Sequence, residues 1–270
     1  MTPARLRPAI AVALALSVGC AARLPPRPSG TSTPDPSALA AFAAATGHCA
    51  GLRTLTAELR LAGRAGDQRV RGRLIAGLEA PRSVRLEAVA PFGPPVFILA
   101  ARDGRGVLLL PRDQRVLDPA DVGEVLERLT GLALGAADLR LLLTGCVADD
   151  PAPADGRAWP GGWRSVVVGG DRTVYLRQEA GAWRVAAADV GDWHVDYDDL
   201  LNGYPRQVRL RAPGVDLGAA VSQLQVNVPI VPEAFEVAVP DGTRPMTLDE
   251  LKSVAPLRDG GTGATSPRSR

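Results

Sequence analysis

Beyond Cys49 the chain alternates between apolar and polar positions with a period of two. Leu55, Ala57, Leu59 and Leu61 point one way, while Thr56, Glu58 and Arg60 point the other. Val70, Gly72, Leu74 and Ala76 alternate against Arg69, Arg71 and Arg73, and Val84, Leu86 and Ala88 against Arg85 and Glu87. This pattern predicts antiparallel strands with one wet face and one apolar face. Turns are marked at Ala65-Gly66-Asp67, Ala80-Pro81 and Asp103-Gly104. Two further runs, Val96 to Ala101 and Val107 to Leu110, are almost continuously apolar. After Asp118-Pro119 the period becomes helical. Val122, Val125, Leu126 and Leu129 share a face from Asp121 to Leu132, and a second helix from Ala136 to about Gly145 carries Leu139, Leu142 and Leu143 on its apolar side. A Pro/Asp/Gly segment from Asp149 to Gly162 interrupts. Strand patterns then resume at Trp163–Val168, Thr173–Gln178, Trp183–Ala187, Trp193–Tyr197, Gln207–Arg211 and Val221–Val228. Ahead of all the strands, an alanine-rich stretch predicts a helix capped by Ser37 and running to about Cys49.

The predicted class is therefore mainly β with helices: a long meander of amphipathic strands, one helix before it and a helical pair inserted in the middle. A sheet with one apolar face must curve and be covered, and the inserted helices are its natural cover. Aromatic residues make up only 4% of the chain, too few to fill a large concavity with rings, which predicts a cavity with aliphatic walls. The inward strand positions expected to line it are Leu59, Leu61, Val70, Leu74, Val84, Leu86, Phe97 and Leu99. Leu126 and Leu142 are expected to line it from the helices.

The first residues carry a different signal. Arg5 and Arg7 supply a positive start, Ala9 to Val18 is an uncharged apolar run, and Gly19 and Cys20 follow at once. That is the layout of a secretory signal, too short for a stable membrane span. A small residue directly before a cysteine is what lipoprotein signal peptidase requires. The box Leu16-Ser17-Val18-Gly19-Cys20 departs from the usual pattern, with serine three before the cysteine and leucine one further back. The alternative is an ordinary signal peptide cut elsewhere. Ala21 to Ser37 is rich in Pro, Ser, Thr and Gly, the composition of an extended spacer that stands a domain off a lipid surface. The expected organisation is a lipoprotein signal over 1–19, a lipidated cysteine and linker over 20–37, one domain over 38–257 and a disordered tail over 258–270.

Of the three cysteines, lipidation of Cys20 leaves Cys49 and Cys146. A bridge between them would close nearly a hundred residues and contribute about 4–5 kcal/mol in the loop-entropy model. The alternative is two separate buried thiols. Composition limits the rest. Hydrophobic residues at 46% and charged residues at 22% allow a real core, and a net charge of +2 gives no reason to expect nucleic acid. Almost all positive charge is arginine, with Lys252 the sole lysine. Guanidinium forks would suit phosphate or lipopolysaccharide, but codon bias in a GC-rich genome explains the same excess together with the abundant Ala, Gly and Pro.

Catalytic chemistry finds no foothold. His48 lies beside Cys49, yet no further Cys/His cluster completes a metal-ligand set. His194 lies within Asp192-Trp193-His194-Val195-Asp196-Tyr197-Asp198-Asp199, where alternation predicts a strand with its acids on the wet face and in the following turn. The glycine and spacing of a calcium loop are missing there, and neither a Gly-x-Ser-x-Gly elbow nor a glycine-rich phosphate loop exists in the chain. No catalytic residue, metal or cofactor is expected.

Three stretches resemble the lipoprotein-localisation family of LolA and LolB, over about Leu52 to Val239. The first is Val84-Arg85-Leu86-Glu87-Ala88-Val89-Ala90-Pro91-Phe92-Gly93, an amphipathic strand ending in Pro-apolar-Gly. The second is the helical pair ending in Leu141-Leu142-Leu143-Thr144-Gly145. The third is Trp193-His194-Val195-Asp196-Tyr197 followed by Tyr204-Pro205-Arg206-Gln207-Val208-Arg209-Leu210, similar to a strand pair that precedes the last sheet strands of LolB-like proteins. The resemblance implies an incomplete antiparallel β-barrel around an apolar cavity, closed by a helical lid. It implies an outer-membrane lipoprotein on the periplasmic face that binds acyl chains and accepts or inserts lipoproteins, with a periplasmic LolA-like carrier as donor. It also gives Phe92 the place of a protruding apolar loop residue that contacts the membrane, against the alternative of a core aromatic in a Pro-rich turn. Ala21 is not the aspartate that retains some lipoproteins in the inner membrane. A non-catalytic envelope-assembly scaffold with the same fold is the competing expectation, and an enzyme on lipid or glycan the weakest.

Overall fold

The computed structural model describes residues 27–147 and 152–254. The signal segment, Cys20 and the tail from Arg258 lie outside them, as does the linker up to Pro26. The described strands are β1 (Thr33–Pro34), β2 (Thr54–Ala65), β3 (Gln68–Glu79), β4 (Ser83–Val89), β5 (Phe97–Arg102), β6 (Arg105–Leu110), β7 (Arg115–Asp121), β8 (Ala154–Trp159), β9 (Trp163–Val168), β10 (Arg172–Glu179), β11 (Ala182–Val190), β12 (Trp193–Leu201), β13 (Tyr204–Ala212), β14 (Val215–Val226) and β15 (Arg244–Pro245). They form one open sheet in the order β1-β8-β9-β10-β11-β12-β13-β14-β2-β3-β4-β5-β6-β7-β15. Neighbours are antiparallel except β15 on β7. The sheet curls into an incomplete barrel whose concave face is covered by helices.

Period-two sequence becomes this sheet because each strand buries one side. In β2, Leu55, Ala57 and Leu59 are buried while Arg60 is exposed. Hairpin turns alternate between two rims. One rim carries the turns closed by Ala65 and Gln68, Leu110 and Arg115, Val190 and Trp193, and Ala212 and Val215. The β4–β5 loop, residues 90–96, lies at this rim too, and the Arg112 guanidinium of the β6–β7 turn donates to the Phe92 and Pro94 carbonyls at 3.0 and 3.3 Å. The opposite rim carries the turns β3–β4, β5–β6, β8–β9, β10–β11 and β12–β13. Where β2 and β14 meet, a side chain at Gly63 would place its Cβ 2.0 Å from the Asp216 carbonyl oxygen, so this crossing requires glycine.

Four helices supply the cover: α1 (Ser37–Thr46), α2 (Val122–Thr130), α3 (Ala136–Thr144) and α4 (Leu248–Val254). Helix α1 buries Ala38, Ala41, Phe42 and Ala45, a helical stripe, against β8, β9 and β11. Helix α2 begins at Asp121, whose carboxylate accepts the Glu124 N–H at 2.9 Å, and ends at left-handed Gly131. It packs on β6, β7 and α4. Helix α3 ends at left-handed Gly145 and is tied to β12 by the buried Tyr197 hydroxyl, which donates to the Leu141 carbonyl at 2.5 Å. A disulfide joins Cys49, just after α1, to Cys146, just after α3, across a separation of 97 residues.

The sequence expectations need correction at several elements. Ser37 does not cap α1: Pro36 holds that position, and Asp35 accepts the Ser37 N–H at 3.0 Å and its hydroxyl at 2.6 Å. Strand β7 runs straight through Asp118-Pro119, which the helical reading had treated as a boundary. Proline is tolerated there because those residues fall in a register shift of the β6–β7 ladder. Strand β8 occupies the second half of the Pro/Asp/Gly segment, at an edge where β1 pairs with only two of its residues. Strand β14 starts at Val215 rather than Val221. Helix α4, unexpected from the sequence, buries Leu251 completely.

Candidate functional site

The inner faces of β2, β3, β4, β5 and β14 and the facing side of α2 enclose a cavity of about 410 Å³, within the roughly 300–1,000 Å³ typical of small-molecule sites. Alternation places Leu61 from β2, Val70 and Leu74 from β3, and Leu86 and Ala88 from β4 on its wall. Phe97 and Leu217 come from β5 and β14, and Leu126, Leu129 and Thr130 descend from α2. Pro91 and Val96, at the two ends of the β4–β5 loop, complete the wall, so the cavity opens at the rim where Phe92 stands. Phe92 is 89% exposed and is not part of the lining. The Phe92 loop therefore belongs to the mouth of the cavity.

Six of the ten residues expected on the cavity wall meet there: Leu61, Val70, Leu74, Leu86, Phe97 and Leu126. Leu59, Val84, Leu99 and Leu142 do not. They are buried in the continuous hydrophobic core and do not border the cavity. Sequence reasoning missed Ala88, Val96, Leu129 and Leu217 as lining. Leu129 could have been found from the apolar face of α2, and Leu217 from its alternation with Asp216. Arg71 and Arg73 contribute to the rim from exposed positions, and Arg73 reaches Glu58 at 3.4 Å. A second groove of about 260 Å³ at the opposite rim is lined by Leu201, Asn202, Arg206 and Ser222 among others and lacks a helical cover.

The Asp192–Asp199 stretch also departs from expectation. Asp196 was expected on the wet face but is buried, 4% exposed. Its carboxylate is paired with Arg27, Nε to Oδ1 at 2.7 Å, and with Arg211. The same Arg27 guanidinium binds Asp189 and donates to the Val195 carbonyl at 2.9 Å. Tyr175 donates to Asp189 at 2.9 Å, and burial together with that carboxylate pushes its phenol up to about 12. Two guanidinium groups thus occupy the acid that a cation would need. Around the disulfide, the His48 Nε2 lies 3.6 and 3.9 Å from the two sulfurs, and burial holds its imidazole below the ordinary range. Among the described residues this is the only His/Cys/Asp/Glu grouping compact enough for a metal. Its sulfurs are bonded to each other, which removes the thiolates a metal would bind. Among the described residues no helix is long and apolar enough to cross a membrane.

No protein-family model and no curated protein matches the sequence. Among solved structures, 76% of the chain is similar to 98% of a LolA superfamily protein from Nitrosomonas europaea, at 12% identity and a TM-score of 0.48. A DUF1329 family protein from Desulfovibrio piger is similar over 75% of this chain and 97% of its own, at 11% identity and a TM-score of 0.48. A domain assigned to outer membrane lipoprotein sorting in Vibrio parahaemolyticus is similar over 73% and 94%, at 10% identity and a TM-score of 0.44. At these identities the likeness is one of fold.

Proposed function

We propose that this chain is a cell-envelope lipoprotein, anchored through Cys20, that takes an acyl chain into its cavity and accepts or inserts lipoproteins or lipids at the outer membrane. The observation that carries the reading is the aliphatic cavity of about 410 Å³ opening beside an exposed phenylalanine. A sixteen-carbon chain leaving a bilayer for water costs roughly 12 kcal/mol at about 0.8 per methylene. A carrier must offset most of that, yet bind weakly enough to release. Leucine and valine walls under a short amphipathic helix meet both needs, since α2 contributes three lining residues and packs on β6, β7 and α4. The work is partition of a chain between two apolar phases, and no group in the cavity is asked to make or break a bond.

The test is binding of a fluorescent fatty-acyl probe to the purified, delipidated full-length protein. One dominant site is expected. Leu74→Glu should weaken it at least about tenfold, a loss of about 1.4 kcal/mol, because an uncompensated charge in an apolar cavity is strongly disfavoured. Arg69→Glu, at an exposed position of the same strand outside the lining, should change it little. A folded protein that takes up no probe would overturn the carrier reading in favour of the envelope-assembly scaffold.

A further inference from the structure

We propose that Arg27 is a clamp that fixes where the membrane tether leaves the domain, so that the rim bearing Phe92 and the cavity mouth faces the bilayer. This rests on the anchoring of Cys20 proposed above. Arg27 is held on the outer side of β11 and β12 by Asp189, Asp196 and the Val195 carbonyl, and its guanidinium lies 5.8 Å from the Tyr175 ring centre. Asp189 and His194 are partners in the β11–β12 ladder, one pair from the turn closed by Val190 and Trp193, and that turn belongs to the Phe92 rim.

The next point at which the chain is pinned lies at the other rim. Thr33 pairs with Ala158, one residue before the β8–β9 turn, and the Ser32 hydroxyl accepts from Arg157 at 2.7 Å. Two attachment points therefore compete to set the exit of the tether. From Arg27, seven residues back to Cys20 span at most about 25 Å, because an extended chain advances about 3.3–3.6 Å per residue. From Thr33 the same bound is about 45 Å, and the tether would leave from the rim remote from the cavity. The nine residues of β12 alone cover roughly 30 Å between rims. With the clamp closed the anchor stays within reach of the mouth. With it open, either rim can turn to the bilayer. Prolines at 25, 26 and 28 narrow the backbone freedom that the clamp must restrain.

Arg27→Ala is a usable probe because Arg211 still partners Asp196, so the buried carboxylate is not left alone. The lipidated protein, reconstituted in phosphatidylethanolamine/phosphatidylglycerol vesicles carrying nitroxide headgroups, is labelled with a fluorophore at Pro94→Cys or at Ala182→Cys on the opposite rim. Quenching is expected at position 94 and not at 182, and Arg27→Ala should abolish that difference while the protein still floats with the vesicles. Equal quenching at both rims in the unsubstituted chain, or an unchanged difference in Arg27→Ala, would overturn the proposal. A spin-label distance between Leu24→Cys and Gly170→Cys reads the clamp without a membrane. It should be narrow in the native chain and broad in Arg27→Ala, and a broad native distribution also defeats the clamp. Failure of the protein to float, with the distance narrow, would instead remove the anchoring reading.

Discussion

Phe92 stands in Ala90-Pro91-Phe92-Gly93-Pro94-Pro95 with 89% of its surface in solvent, while the residues at the ends of the same loop line the cavity. A ring left in water beside an apolar mouth suits contact with a second apolar phase. Phe92→Glu is expected to leave acyl-probe affinity unchanged and to slow transfer of the bound probe into liposomes, measured by loss of protein-bound fluorescence. A matching loss of affinity, or transfer at the native rate, would show that the ring has another role. The exposure of Phe92 was one of two readings open from its sequence. The choice depended on how the loop is held, and Arg112 of another hairpin binds its Phe92 and Pro94 carbonyls. Asp196 teaches the reverse lesson. Alternation put it outward with the other acids, and it is buried because Arg27, 169 residues away, folds over it. A partner so distant leaves no periodic trace in the local sequence.

Among the elements, the two helix ends joined by the disulfide matter most. Cys49 closes the turn after α1 and Cys146 the turn after α3, and both are buried. With a sequence separation of 97, removing the bridge should lower stability by about 4–5 kcal/mol in the loop-entropy model. The Cys49→Ala/Cys146→Ala variant, followed by urea unfolding, should show this as a lower midpoint with a steeper slope, because the uncrosslinked denatured chain exposes more surface. Peptide mapping of the native protein without reductant should recover the linked pair. Freely alkylated thiols, or an unchanged midpoint, would count against the bridge. The amphipathic elements were legible because burial of one face imposes a period, as in β2, β3, β4 and α2. Strand β8 and helix α4 were not, because an edge strand in a Pro/Gly-rich stretch and a seven-residue helix carry too few turns of either period to be distinguished from loop.

For the molecule as a whole, the anchor proposed at Cys20 would decide where the fold acts. Cys20→Ser should leave the protein unlipidated and soluble in the periplasm, read by membrane fractionation and by loss of acyl mass; retained acyl mass would place the modification elsewhere. Local signals are what a sequence determines by itself: the strands and helices long enough to show their period, and an aliphatic interior too poor in rings to fill a wide concavity. The apolar run, Gly19 and Cys20 are the local signal on which the proposed export and anchoring rest. Which leucines face empty space was decided only in three dimensions. Leu59 and Leu74 are opposed in register across β2 and β3 and share the same inward alternation, yet Leu74 lines the cavity and Leu59 is packed into the core. Alternation fixes the face on which a side chain lies. Whether that face meets a helix or a void depends on where α2 and α3 settle across the sheet, and that follows from contacts between residues far apart in the chain.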